Sequence, residues 1–526
     1  MTGKSIPSFS TQVLIIGGGV TGAGIARDLA LRGVHCVLAE KHDINAGASG
    51  ANHGLLHSGA RYVSSDAHAA EECRMEGDLL KKLAPECIED TGGLFVAVQG
   101  DDENYVSDFP HLCAKSHIPV KELDVQDVHE MEPELSSHMI AAFQVQDASI
   151  DPFKLSMENI HQAMTLGSSV LRHSQVVGFQ VDKRRIIATK LKNLLTGEIF
   201  LIAAEQIVNA GGAWAKEIAD LAGCHIDLLY SKGSLLVTHN RLTQRVINRL
   251  RPSSNADILV PGGTVSILGT TSIRMDRLDA IFPTVKEIDT IVGEGSAMIP
   301  KLETTRYIRA YAGVRPLVGT AEKGGDRHVS RSFSLMDHES EGLENFVTIT
   351  GGKLTTYRLM AEKTADLVCQ RLSQSAPCKT RSEPLPSALE TKWTKPGLAP
   401  KLWMMHKDPK DLFLCECEMV PQSVVNQLTR SIHKQHGKAD LVSLGLRSRI
   451  GKGACQGTFC AQRIAAYLYD IEEMVGNEGL ESIRSFVSER WRGERPLLWN
   501  SSLMQAELKE ALYCGLFGIE CHGQKP

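Results

Sequence analysis

Four cysteines stand in two pairs, Cys415-Glu416-Cys417 and Cys455-Gln456-Gly457-Thr458-Phe459-Cys460. A C-x-C pair followed by a C-x4-C pair offers four thiolates, which suits a metal centre. The spacing is not the C-x2-C of zinc knuckles. Gly451, Gly453 and Gly457 flank the second pair. They free backbone N–H groups to reach sulfur, an arrangement that tunes an iron–sulfur potential. The pattern therefore favours a [2Fe–2S] cluster on Cys415, Cys417, Cys455 and Cys460, with zinc as the alternative. Disulfides come last in a reducing compartment. The other cysteines of the thirteen are scattered and read as plain thiols.

A second constellation sits near the N-terminus. Gly17, Gly19 and Gly22 form G-x-G-x-x-G directly after the apolar run Val13-Leu14-Ile15-Ile16 and before a helical pattern, and Glu40 closes the next strand. Gly17 allows the tight turn, Gly19 lets backbone approach a pyrophosphate, and Gly22 lets helix and strand pack. The helix start faces the phosphates with free N–H groups, and Glu40 accepts from a ribose hydroxyl. This is a dinucleotide site, and its spacing does not separate FAD from NAD. A further glycine pair, Gly351-Gly352, precedes Lys353-Leu354-Thr355 between a strand and a long helix. Such a turn passes close to a ligand or simply caps the helix. As a ligand site, its helix start would stabilise a reduced flavin ring.

Other groups lie between. His53-Gly54-Leu55-Leu56-His57-Ser58-Gly59-Ala60-Arg61-Tyr62 is dense in polar residues. His57 is a candidate general base, since an unperturbed imidazole titrates near pH ~6.5; a structural histidine is the bland reading. Arg315 precedes Pro316, which favours extended backbone, and Arg331 follows Ser330. Two guanidinium forks near a glycine-rich site suit an anion clamp, against the alternative of ordinary surface ion pairs.

These residues need elements to hold them. The chain of 526 residues exceeds one domain, and 42% hydrophobic with 23% charged residues marks a globular protein. A net charge of −5 leaves no global footprint for nucleic acid, so no such partner is expected. No apolar run is long enough to span a membrane, and the N-terminus lacks the pattern of a signal peptide. Strand, glycine turn, helix and strand over residues 13–39 form a βαβ unit and imply a parallel sheet. The mixed middle suits a second unit around an antiparallel sheet. A strand is expected over Phe346 to Thr350 and a helix over Leu354 to Leu372. Pro377, Pro384, Pro386, Pro396, Pro400 and Pro409 mark a linker before a compact tail. The apolar segment Ala511 to Ile519, with Trp491 and Trp499, is either docking surface or tail core.

Taken in order, several motifs resemble those of the FAD-dependent glycerol-3-phosphate dehydrogenases, within the wider D-amino-acid-oxidase-like flavoproteins. They are Val13 to Gly22 with Glu40, His53 to Tyr62, Asn209 to Trp214, Lys232-Gly233-Ser234, Gly269-Thr270-Thr271, Ala312 to Leu317 and Thr350 to Arg358. The tail, with Gly453-Ala454-Cys455-Gln456-Gly457, resembles the bacterioferritin-associated-ferredoxin-like [2Fe–2S] module. The resemblance covers nearly the whole chain.

It implies an α/β fold with an α+β substrate part. The FAD-dependent oxidoreductase region would run over 11–375, with FAD-binding pieces at about 11–90, 150–225 and 340–375. Substrate pieces would fill about 91–149 and 226–339. A linker over 376–411, a cluster module over 412–470 and a helical extension over 471–526 follow. The resemblance implies non-covalent FAD held by Gly17, Gly18, Gly19, Gly22, Glu40, Ser49, Gly211, Gly351, Gly352 and Lys353. It puts the substrate phosphate on Arg315 and Arg331, with Tyr62 and Thr355 beside the substrate, and catalytic roles on His57, Arg315 and Lys353.

The implied activity is oxidation of sn-glycerol 3-phosphate to dihydroxyacetone phosphate, with electrons leaving through the cluster. They would pass to companion subunits B and C, one carrying FMN, and to a quinone in anaerobic respiration. The implied location is peripheral, at the cytoplasmic face of the bacterial inner membrane. Alternatives are an amine or amino-acid oxidase of the same fold, and an iron–sulfur electron-transfer protein. The sequence departs from aerobic relatives in carrying Leu235 after the Lys-Gly-Ser run, where they often have histidine. It also carries Ser272 where they often have aspartate.

Overall fold

The computed structural model describes residues 8–279, 281–319, 332–386, 405, 408–434 and 437–519. Arg331 and much of the proline-rich stretch, including Pro396 and Pro400, lie outside the described residues. In chain order the elements that shape the site are β1 (Ser8–Ile16), α1 (Val20–Leu31), β2 (Cys36–Ala39), β3 (Ile199–Asn209), β4 (Leu228–Thr238), β5 (Tyr307–Val318), β6 (Phe346–Gly351) and α2 (Tyr357–Arg371). The tail adds α3 (Gln422–Lys434), α4 (Leu441–Arg447), α5 (Cys460–Asp470), α6 (Glu478–Trp491) and α7 (Asn500–Glu510).

β1 is central because Val13, Leu14 and Ile15 are fully buried on both faces of the strand, as a parallel sheet demands. It pairs in parallel with β2 on one side and β3 on the other. β6 joins the C-terminal end of β3, also in parallel. Antiparallel strands Ser174–Asp182 and Arg185–Asn193 extend the sheet beyond β3. α1 crosses α2 closely at Gly24, where a Cβ would lie 2.9 Å from the Tyr357 ring and 3.1 Å from Ala361. The small face of α1 is thus what seats α2 against the nucleotide sheet.

Among the described residues the second sheet has nine strands and is antiparallel apart from one pair, Val246–Arg249 alongside Gly93–Val98. Its backbone is the long pairing of β4 with β5, running from Leu228 opposite Val318 to Thr238 opposite Tyr307. This register sets Arg315 opposite Ser231. Pro316 falls within β5, so the extended backbone expected before a proline is realised.

The tail builds its own core from Leu414, Val424, Leu428, Leu444, Ile464, Leu468, Phe486 and their neighbours. Tyr513 and Ile519 are buried in it and Trp491 packs against it, so these residues are tail core. By contrast Trp499, Leu503, Met504, Leu508 and Leu516 are exposed. Among the described residues no helix is long and apolar enough to cross a membrane.

The tail docks on both sheets by charge and hydrogen bonds. Asp43, just after β2, accepts from both terminal nitrogens of Arg447 at 3.0 and 3.1 Å and from Arg172 at 2.8 Å. Arg449 donates to Glu418 at 2.9 Å and to the Gly262 carbonyl at 2.9 Å, while Thr264 donates to Glu418 at 2.7 Å. Lys452 lies 3.7 Å over the Phe153 ring.

Candidate active site and cysteine centre

The two sheets enclose a cavity of 420 Å³ that begins at the glycine turn after β1 and ends among basic and aromatic side chains on the second sheet. At the turn the glycines are sterically required. Gly17 has φ +116°, and a Cβ there would lie 2.4 Å from the Ala210 carbonyl oxygen. At Gly22 a Cβ would lie 2.0 Å from the Gly17 carbonyl oxygen. Gly19 is the α1 N-cap and makes no side-chain cap, so helix N–H groups stay available to a phosphate. One is already taken, since the Val20 N–H donates to Ser49 Oγ at 2.9 Å.

Glu40 lines the cavity and accepts backbone N–H groups from Gly18 at 2.7 Å and His42 at 2.8 Å. Burial pushes its carboxyl up, and those two N–H groups with Lys41 oppose the rise. Gly18 packs against Glu40 and Ile44, and Gly211 lines the cavity from the end of β3. The donor set and the side-chain-free cradle fit a dinucleotide.

Gly351 (φ +82°) and Gly352 (φ +70°) are both left-handed, and a Cβ at Gly352 would meet Met360 Sδ at 2.5 Å. Both line the cavity with Lys353. Here the structure corrects the expected helix start. α2 begins at Tyr357 rather than Leu354. A turn intervenes, in which the Lys353 N–H donates to Thr356 Oγ1 at 3.2 Å and the Thr356 N–H to the Lys353 carbonyl at 3.1 Å. The glycine pair and Lys353 therefore reach the cavity as a loop, not as a helix N-terminus.

At the far end the histidine-rich run folds over the second sheet. The His57 N–H donates to Thr355 Oγ1 at 3.1 Å, and Tyr62 Oη lies 3.3 Å from His57 Nε2. Lys353 Nζ stands 4.7 Å from the Tyr62 ring centroid. Arg315 donates to the Thr271 carbonyl at 3.2 Å and to Thr270 Oγ1, and its guanidinium occupies space that Gly233 leaves free. His57, Tyr62, Arg315, Gly351, Gly352 and Lys353 thus converge, with Thr355 supporting from behind. Leu235, also in the lining, is buried, and Ser272 bonds Ser231 at 2.9 Å, so neither position offers the titratable group that aerobic relatives often carry there.

Two lining residues carry no role that their sequence context suggests. Arg61 pairs with buried Asp257 at 2.5 Å, while its other terminal nitrogen, Nη1, is buried with no partner among the described residues. His53 likewise has a buried Nδ1 without a partner among them. Only the fold makes these visible, because an arginine in a polar run looks like any surface arginine.

In the tail all four cysteines come together. Cys417 Sγ is 3.9 Å from Cys415 Sγ and 3.7 Å from Cys455 Sγ. Cys460 opens α5 and joins the same group, acting on both Cys415 and Cys455. A Cβ at Gly453 would lie 2.7 Å from Cys417 Sγ, so only glycine lets backbone pass the sulfurs. Hydrogen bonds from Cys417 and Cys460, then backbone N–H groups of Phe459 and Gly457, hold the Cys455 thiol far below its ordinary value. Tyr513 Oη steadies this loop by donating to the Gly457 and Thr458 carbonyls at 3.0 and 2.8 Å. Four converging thiols with backbone donors fit an iron–sulfur or zinc centre.

With that geometry in view, similarity to known proteins is informative. The chain belongs to the FAD dependent oxidoreductase family, whose pattern matches residues 12–367. Solved structures agree on the fold: glycine oxidase from Geobacillus kaustophilus (20% identity, TM-score 0.58) covers 72% of this chain and 98% of its own. Glycerol-3-phosphate dehydrogenase from Bacillus halodurans complexed with FAD (21% identity, TM-score 0.57) covers 97% and 92%. Within the family the chain groups with proteins that bear the name of the A subunit of anaerobic glycerol-3-phosphate dehydrogenase. It is 39% identical to the one from Escherichia coli K12 over 98% of both chains. It is 35% identical to the A1 subunit from Haloferax volcanii over 96% of this chain and 90% of the relative.

Proposed function

We propose that the chain oxidises sn-glycerol 3-phosphate to dihydroxyacetone phosphate. The observation that carries this reading is the meeting, in one cavity, of a glycine-lined nucleotide cradle with Arg315, Arg61, Lys353, His57 and Tyr62. The likeness to enzymes bearing that name over the whole chain supports it. FAD, when bound, supplies the acceptor for the two electrons and the hydrogen that leave C2 as hydride. Gly17, Gly18, Gly19, Gly22, Glu40, Ser49 and Gly211 would hold its nucleotide and pyrophosphate, and Gly351 with Gly352 its ring.

The residues of this chain do the rest. Arg315 and Lys353 present cations to the phosphate, and Arg331 belongs with them by resemblance. Holding the non-reacting phosphate fixes C2 against the acceptor, so remote binding energy serves orientation. The C2 hydroxyl proton leaves through Tyr62 Oη, which passes its own proton to His57 Nε2, 3.3 Å away. Thr355 anchors the His57 backbone. The apolar Leu235 on the same cavity helps exclude water.

Cys415, Cys417, Cys455 and Cys460 would hold a [2Fe–2S] cluster, which supplies one-electron transfer. The protein would then act with companion subunits B and C, one of them binding FMN, and deliver electrons to a quinone in anaerobic respiration. It would do so from the cytoplasmic face of the inner membrane, as a peripheral protein. The test is anaerobic mixing of the FAD-loaded protein with glycerol 3-phosphate. The yellow absorbance should bleach within the mixing time in wild type and be lost far more slowly in R315A. A wild-type spectrum that stays oxidised would end the reading.

A further inference from the structure

His53 borders the active-site cavity, yet it is neither the candidate base nor part of the nucleotide cradle. Its ring stands edge-to-face with His57, at a centroid distance of 6.4 Å and an interplanar angle of 69°. Nδ1 is shut away from solvent and has no hydrogen-bond partner among the described residues. A polar atom in that condition costs stability, so buried nitrogens are ordinarily paired. The residue as a whole is only half-buried. With Nδ1 enclosed, the edge that borders the cavity is the Nε2–Cδ2 edge.

Two guanidinium groups, Arg315 and Arg61, stand close enough to act on the imidazole. Nδ1 has no described partner to fix a proton on it, so the tautomer is free to follow a ligand, and an anion in the cavity draws the proton to the nitrogen that faces it. Arg61 itself has a buried Nη1 with no partner among the described residues. Two cavity-lining residues, His53 and Arg61, thus each keep a buried nitrogen that no described protein group answers.

We propose that His53 is a substrate-binding residue, its Nε2–H donating to the phosphate of the substrate beside Arg61 and Arg315. The assignment rests on the proposed oxidation of a phosphorylated substrate and names a third donor for its anionic end. A charged imidazole beside two guanidinium groups would repel them without ligand, and His53 is built to avoid that. Burial first, then Arg315 and Arg61, take its pKa down to about 3, so it stays a neutral donor at physiological pH. A neutral N–H contributes to anion binding without titrating against the arginines.

The test uses inorganic phosphate as probe on the FAD-loaded full chain, read by the perturbation of flavin absorbance, alongside KM and kcat for glycerol 3-phosphate. A hydrogen bond to a charged group is expected to be worth at least about a tenfold factor in affinity. H53A should weaken phosphate roughly tenfold or more and raise KM by a similar factor, with kcat within about threefold. H53Q carries its amide nitrogen where Nε2 stands and should recover most of the loss. H53N, whose amide reaches only as far as Nδ1, should behave like H53A.

Unchanged phosphate affinity in H53A with a native flavin spectrum overturns the assignment. So does equal rescue by Asn and Gln, or a wild-type protein that phosphate does not perturb. Should H53A fail to hold flavin, the Gln-against-Asn comparison still decides. If wild type binds phosphate but glycerol 3-phosphate never reduces it, the proposed reaction fails while the His53 site stands or falls on the phosphate titration alone.

Discussion

The Asp43→Asn substitution tests whether the cysteine-bearing tail is clamped to the nucleotide sheet by charge. Asp43 accepts four N–H groups: two from Arg447, one from Arg172 and one from the Ile44 backbone. All three side chains are nearly buried, with 1% exposure for Arg447, 6% for Arg172 and 8% for Asp43. Burial pushes the carboxyl up, but the charge and hydrogen bonds of Arg447, then Arg172, outweigh it and hold it below the ordinary value. An asparagine keeps one acceptor oxygen, removes the anion that faces two guanidinium groups, and turns an NH2 toward their N–H groups.

Breaking one side of a buried ion cluster costs about 3–5 kcal/mol, because the remaining charges stay desolvated. At about 2–4 °C per kcal/mol for a unit of this size, the melting temperature should fall by roughly 6–20 °C. Since Asp43 sits in the loop after β2 and Arg447 on α4, the first event should be release of the tail. Limited proteolysis should then cut between the flavin region and the tail well before flavin is lost. A triple variant, D43L with R447L and R172L, should recover part of the loss, as apolar replacement of a whole buried ion cluster is often neutral.

The pH arm has a defined sign. A carboxyl depressed in the fold stabilises above its unfolded pKa and loses that contribution as pH falls through the lower folded value. The wild-type advantage over D43N should therefore persist at pH ~6 and shrink only below about pH 4. A melting shift under about 1 °C with unchanged proteolysis of the tail would refute the clamp.

Three further outcomes follow from the same geometry. Tyr62→Phe removes the hydroxyl that lies 3.3 Å from His57 Nε2 while leaving the ring packing, so kcat should fall roughly tenfold with KM nearly constant, measured by steady-state assay. Cys417→Ser, at the centre of the 3.7 and 3.9 Å sulfur contacts, should abolish the EPR signal of dithionite-reduced protein and lower bound iron without releasing flavin; full iron retention would exclude Cys417 as a ligand. Lys452 is half-buried, its amine over the Phe153 ring, and desolvation there takes the amine from 10.5 down to about 7. The unfolded state binds the extra proton between those values. Wild-type stability relative to K452M should therefore rise with pH above about 7, by up to about 1.4 kcal/mol per unit, in denaturant titrations at pH ~6, ~7.5 and ~8.5.

Much of the nucleotide end was legible in the chain alone. Gly17, Gly22 and Glu40 announce themselves because a tight turn, a close crossing and a buried acceptor each tolerate few residue types, and each constraint is local. The four cysteines were legible for the same reason, as were the glycines that pass their sulfurs. The helix after Gly352 starts three residues later than its periodicity suggests. Periodicity marks a buried stripe, but the Lys353–Thr356 turn that delays Tyr357 depends on hydrogen bonds no pattern encodes.

The amino-acid order by itself determined the βαβ opening, the glycine turn and the thiol pairs, because short-range sterics leave such segments little choice. Only the tertiary structure decided which cations share a cavity. The β4–β5 register sets Arg315 opposite Ser231, and the loop before the second sheet carries His53, His57 and Arg61 to the same wall. It also decided that Asp43 meets Arg447 across more than four hundred residues of chain. Such pairings arise from packing two sheets and a tail together, and no local preference of a histidine, an arginine or an aspartate encodes a partner that far away.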